Sequence, residues 1–203
     1  MKCFALTGGI ASGKSLIADL LRKAQIPVVD ADELARQVAA IGSKGLTQIV
    51  SRFGNAYLIG NGSLNRKKLA QLIFSDEKAR KDLEAIIHPL IAEKFAQERA
   101  RLKRQGHMYC VYVAPLIFEA GVQKEFDAVI LIITDPKIQL DRLATRDRIS
   151  LAEAKLRMQA QMPTKEKKKL TKYWIDNNGT PEDTTANLKA LWKQLTGAEL
   201  AIK

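Results

Sequence analysis

Apolar positions along this chain fall into two spacings. Uninterrupted apolar runs at Lys2–Thr7, Pro27–Val29, Tyr109–Ala114 and Ala128–Thr134 lack alternation, as expected of strands covered on both faces. Elsewhere apolar residues recur at helical spacing, as at Leu16, Ile17, Leu20 and Leu21 within Ser15–Ala24. Buried strands separated by helical stretches predict an α/β fold with a parallel central sheet. A long segment from Ala31 to His107 keeps helical periodicity, broken at Gly54 and at the turn Gly60-Asn61-Gly62, and reads as a helical insertion. From Ile138 to Lys172 the chain is helical and highly charged, with the basic run Lys165-Glu166-Lys167-Lys168-Lys169; a short apolar patch, a turn at Asn178-Gly179 and a closing helix follow. There is no internal repeat and no low-complexity linker.

Length and composition narrow this picture. A chain of 203 residues, 46% hydrophobic, can bury one substantial core with appendages but is short for two full domains. The balance of 33 Lys+Arg against 22 Asp+Glu, a net charge of +11, points to an anionic partner. A nucleic-acid binder would need a basic stripe interleaved with aromatics; at 6% aromatic residues, phosphate recognition is the better expectation. Cys3 and Cys110 sit in apolar runs and give no metal-ligand or redox spacing. No apolar run approaches bilayer length and no signal-like segment opens the chain, so a soluble cytoplasmic setting without membrane association is expected.

The decisive motif is Gly8-Gly9-Ile10-Ala11-Ser12-Gly13-Lys14-Ser15, which satisfies G-x-x-x-x-G-K-[ST] between a predicted strand and a predicted helix. Its glycines let backbone N–H groups turn onto phosphates, and the N-terminus of the helix that follows favours negative charge. Lys14 is expected to reach the β- and γ-phosphates of ATP, and Ser15 to place its hydroxyl on Mg²⁺. The motif establishes triphosphate binding better than it establishes kinase chemistry.

A kinase must hold an organic acceptor and exclude water, so an acceptor region and a closing lid are the features to seek. Asp30 and Asp32 follow the second strand, where one carboxylate could take the acceptor's proton; they fit equally a helix N-cap and a first-turn acid. Arg142, Arg146, Arg148 and Arg157 lie on a charged helical stretch. Arg142 and Arg146, four apart, share a face that suits a lid, while pairing with Asp141 or Asp147 on a solvated face explains the arginines as well.

Several separated stretches then resemble the dephospho-CoA kinase family over almost the whole chain. They are Thr7-Gly8-Gly9-Ile10, Asp30-Ala31-Asp32 with Ala35-Arg36, Gly62 to Leu69, His88-Pro89-Leu90-Ile91, Pro115-Leu116-Ile117-Phe118-Glu119, Gln139 to Leu143 with Arg146-Asp147, Gln161-Met162-Pro163, and Ile175 to Gly179. The resemblance implies one domain over residues 1–203 with the three-layer P-loop fold: a core of about 1–30, 108–137 and 170–203, a helical insertion of about 31–107 that receives dephospho-CoA, and a lid of about 138–169. It implies a monomer or weak homo-oligomer. It also implies that Asp32 is the general base, with Lys14 and Arg142 also catalytic. Gly8, Gly9, Ala11, Ser12, Gly13, Lys14, Ser15, Leu16, Arg142 and Arg146 would contact ATP, Asn177 would sit near its adenine, and Ser15 would hold Mg²⁺. His88, Pro115, Leu116 and Glu119 would line the acceptor side with Asp32. For His88 a capped turn is the alternative, and for Glu119 an exposed helix position. The chain departs from the family at Val113, where an Asp is common; at Ala11 for Gly and Leu16 for Thr or Ser; and at Thr171-Lys172-Tyr173-Trp174, where an Ala-Asp pair is usual.

Overall fold

The computed structural model describes residues 1–202. The chain divides into two compact units, Met1–Val28 with Gly106–Lys203, and Val29–Gln105. The first unit starts with β1 (Lys2–Gly8) and α1 (Lys14–Lys23), and β2 (Val28–Asp30) carries the chain into the second. That second unit holds α2 (Ala31–Val38), α3 (Lys44–Phe53), α4 (Arg66–Ser75) and α5 (Glu77–Arg104). The chain then returns through β3 (Tyr109–Val113), β4 (Ala128–Ile133), α6 (Pro136–Asp147), α7 (Leu151–Gln159), α8 (Thr164–Lys169), β5 (Tyr173–Asp176) and α9 (Pro181–Thr196).

The strands form one parallel sheet in the order β2-β3-β1-β4-β5, with helices on both sides. β1 is central, with Leu6 opposite Val113 on one side and Ile130 on the other. Because β1, β3 and β4 are covered on both faces, their near-continuous apolar runs supply the core: Phe4, Leu6, Val111, Ile130 and Ile132 pack with Ile17 and Leu21 of α1 and Trp192 of α9. Trp192 meets Phe4 and Tyr109 edge-on, with ring centroids 5.7 and 5.4 Å away. β5 is the strand that hydrophobic runs do not announce. It is an edge strand with only Ile175 buried, so its sequence Tyr-Trp-Ile-Asp carries only a short apolar patch.

In the second unit α5, 28 residues long, packs against α2, α3 and α4 around Leu46, Ile49, Leu69 and Leu83. The Gly60-Asn61-Gly62 turn links Leu58 to Leu64 in an antiparallel bridge. Arg52 and Asp82 tie α3 to α5 by an ion pair. His88-Pro89 is not a capped turn: both residues lie within α5, with His88 exposed. Pro89 has no N–H to offer the Ala85 carbonyl one turn earlier, so the helix lacks a rung there.

Candidate active site

The phosphate-loop motif spans the end of β1 and the start of α1, at the carboxyl edge of the central strand. Asp30, Ser43, Asn65, Asp76, Asp135, Ser150 and Thr180 cap other helices with their side chains. The N-cap of α1 is Gly13, which has no side chain to cap with, and no acid stands in its first turn. A helix N-terminus without a capping side chain favours an anion, and the helix dipole adds to the attraction. Gly13 has φ of +98°, and a Cβ there would collide with the Asn177 amide, so glycine is required twice over. The Lys14 ammonium folds over the loop and donates to the Gly8 and Gly9 carbonyls at 2.8 and 2.9 Å.

The loop is braced from behind. Ser12 is buried, and its carbonyl accepts from both the Thr134 hydroxyl (2.9 Å) and Asn177 Nδ2 (2.8 Å). Asn177 Oδ1 in turn accepts from Thr184 Oγ1 at 2.7 Å. The structure commits both ends of this buried side chain to the protein, and Asn177 braces the phosphate loop through Ser12.

In front of the loop lies a cavity of about 590 Å³, lined on one side by Ala11 to Ser15 and on the other by Asp141, Arg142, Thr145 and Arg146 of α6. Both arginines of the shared helical face are therefore brought to the phosphate loop. Among the described residues Arg142 makes no ion pair, whereas Arg146 bonds Asp147 at 2.8 Å. That bond raises the Arg146 guanidinium pKa and holds the Asp147 carboxyl below its ordinary value. Arg157 shares Asp147 at 3.0 Å and pairs with Glu153, so it behaves as the solvated-face reading predicts. The Ser15 side chain is exposed and lines the cavity, while Leu16 packs against the core, leaving only its backbone to the ligand side.

After β3, Pro115 and Glu119 are joined to the helices that follow α6. The Pro115 carbonyl accepts from Thr7 Oγ1 (3.2 Å) and from Lys167 Nζ (3.3 Å). Glu119 pairs with Lys167 at 2.8 Å and accepts from the Met162 N–H at 3.1 Å. Lys167 is fully buried, although it stands in a run of basic residues that reads as solvent-facing. Glu119, in an exposed turn after β3, holds the α7–α8 connection to the β3 loop. Leu116 is exposed.

In the second unit Asp30 caps α2 by accepting from the Asp32 N–H at 2.8 Å. The Asp32 carboxylate is exposed and, among the described residues, accepts no hydrogen bond, so its lone pairs are available to a substrate proton. The departures from the family pattern also find places. Val113 is buried beside Leu6. Ala11 adopts the left-handed conformation, φ +57°, that glycine takes without strain. Thr171 donates to the Val129 carbonyl at 2.6 Å just before β5, and Trp174 lies under the Lys168 ammonium, 4.0 Å from the ring centroid.

Thr134, Gln139, Gln161 and Lys167 matter to the site, and sequence reasoning assigns them no role. Their signal is faint because each acts on backbone or on a partner far away in sequence, a relation that periodicity cannot express.

A parallel sheet with an open phosphate loop after its central strand, faced by two arginines, defines the P-loop kinase class. A shikimate kinase from Acinetobacter baumannii shares the fold, with a TM-score of 0.54 at 12% identity, covering 99% of this chain and 96% of that one. The dephospho-CoA kinase family model matches residues 2–183. Dephospho-CoA kinases from Geobacter sulfurreducens and Syntrophotalea carbinolica are 41% and 44% identical, over 95% and 96% of this chain and 98% and 92% of theirs. A Campylobacter jejuni dephospho-CoA kinase structure superposes with a TM-score of 0.71 at 29% identity, over 97% of this chain and 99% of that one. The chain belongs to the dephospho-CoA kinase family. Among the described residues no helix is long and apolar enough to cross a membrane.

Proposed function

We propose that this protein transfers the γ-phosphoryl group of ATP to the ribose 3′-hydroxyl of dephospho-CoA, giving CoA and ADP. The observation that carries the reading is the phosphate-loop segment Ala11–Ser15 facing Arg142 and Arg146 across one cavity, in a chain of this family. Phosphoryl transfer leaves little covalent work to the protein: it must position the groups and stabilise charge spread over the transferring oxygens. The loop amides hold the β-phosphate. Lys14 exchanges the Gly8 and Gly9 carbonyls for phosphate oxygens when ATP binds. Arg142 and Arg146 neutralise the transferring group, Arg146 by loosening its bond to Asp147.

The exposed Ser15 hydroxyl fits Mg²⁺, which takes few protein ligands and keeps phosphate oxygens and waters for the rest. When bound there the ion would screen the triphosphate. With Val113 in place of a carboxylate, β3 offers it no second ligand. Asp32 is assigned as the base that orients the 3′-hydroxyl and takes its proton, and the segment Val29–Gln105 as the receiver of dephospho-CoA, with His88, Pro115 and Leu116 as positioning residues. The test is ADP release from Mg·ATP with dephospho-CoA, AMP, mixed nucleosides or no acceptor. Turnover with dephospho-CoA alone, with a new 3′-phosphate in the product, is expected. Turnover with another nucleotide, or acceptor-independent hydrolysis, would overturn the reading.

A further inference from the structure

We propose that Gln139 and Gln161 are positioning residues that fix the bend of the phosphate loop by taking up both backbone polar groups of Ile10. Gln161 Oε1 accepts the Ile10 N–H at 2.7 Å, and Gln139 Nε2 donates to the Ile10 carbonyl at 3.0 Å. The chemistry dictates the orientation of both amides, since a backbone N–H can only donate and a carbonyl only accept. Gln161 must present its oxygen and Gln139 its nitrogen.

Neither glutamine is a loose surface group. Gln139 lies in the first turn of α6, is 4% exposed, and covers Gly9 so closely that a Cβ there would fall 2.6 Å from its Nε2. Gln161 follows α7, and the N–H of the next residue, Met162, is held by Glu119, itself paired with buried Lys167. The stretch they grip needs holding. Ala11 is left-handed without being glycine, and the turn around it is closed by one further bond, Ser12 N–H to the Gly9 carbonyl at 3.1 Å.

The clamp directs the backbone polar groups of the loop: the Ile10 N–H points at Gln161, and the Ser12 N–H turns back to the Gly9 carbonyl. Gln139 and Gln161 also bound the segment that carries Arg142 and Arg146. Both ends of that segment rest on one loop residue, so loop shape and arginine position are set together.

The inference rests on reading the loop as the ATP site, and its test separates the two. In nucleotide-free protein, Gln161→Ala is expected to speed hydrogen exchange at the Ile10 amide. Gln161→Glu, which keeps an acceptor, is expected to preserve its protection. In turnover, Gln161→Ala is expected to raise the KM for ATP roughly two- to tenfold, the value of one net hydrogen bond, with the KM for dephospho-CoA unchanged and the unfolding midpoint lowered by no more than roughly 2–6 °C. Gln139 responds the other way to a carboxylate: Gln139→Glu, facing a carbonyl without a donor, is expected to raise the KM for ATP more than Gln139→Leu does. Parental exchange and KM in Gln161→Ala would overturn the clamp, as would both KM values rising together with a lowered unfolding midpoint. If the parent protein fails to phosphorylate dephospho-CoA, the functional reading falls, while exchange at Ile10 still decides the clamp.

Discussion

Replacing Asn177 by Ala separates a residue that braces the phosphate loop from one that reads the base. The side chain is 3% exposed and makes two hydrogen bonds, to the Ser12 carbonyl at 2.8 Å and from Thr184 Oγ1 at 2.7 Å. Truncation orphans neither partner: the Ser12 carbonyl keeps the Thr134 hydroxyl, and Thr184 keeps the Thr180 carbonyl at 3.1 Å. The cost therefore stays near two net hydrogen bonds, about 1–3 kcal/mol, and not the larger penalty of buried unsatisfied groups. For a chain of this size each kcal/mol lowers the unfolding midpoint by roughly 2–4 °C. Only the Ser12 bond acts on the loop, so its loss is expected to raise the KM for nucleotide roughly two- to tenfold. The assay is kcat/KM with ATP and with GTP beside thermal unfolding. A brace predicts that both nucleotides weaken by the same factor and that the midpoint falls. An altered ATP-to-GTP preference at unchanged stability would refute this reasoning and return Asn177 to the base.

Asp32→Asn is expected to lower kcat by about 10²–10⁴-fold, the usual worth of a general base, with ATP affinity intact; near-parental turnover in a steady-state assay removes the assignment. Glu119→Ala should cost about 3–5 kcal/mol in denaturant unfolding because it strands the buried Lys167 ammonium, while Lys167→Met, leaving a carboxylate that reaches water, should cost less. Ala11→Gly should relieve left-handed strain of about 1 kcal/mol and raise the unfolding midpoint without raising the KM for ATP. Thr180 N–H and hydroxyl bonds hold the Asp183 carboxyl below its ordinary value of 3.8, so the cap's contribution is whole above that pH and is lost as pH falls through the lower folded value. Protection of the Thr180 amide, taken as exchange relative to its intrinsic rate, should fall on acidification below pH 3.8, and this acid step should vanish in Asp183→Asn.

Local chemistry wrote much of this molecule into its sequence. The buried strands β1, β3 and β4 were legible because a strand covered on both faces must be apolar throughout, and the phosphate loop because its glycines and Lys14 sit at fixed spacing between strand and helix. The shared face of Arg142 and Arg146 followed from helical spacing alone. Tertiary structure decided what depends on partners far along the chain. β5 is a strand because β4 offers it an edge, and its own residues scarcely ask for one. Lys167 looks like its basic neighbours and is buried because Glu119 and the Pro115 carbonyl wait for it. Asn177 braces the loop because folding brings it within hydrogen-bond reach of Ser12, 165 residues earlier. Composition and periodicity report the average environment of a position. Which donor meets which acceptor is fixed only when the sheet closes, since a hydrogen bond depends on distances of a few tenths of an ångström.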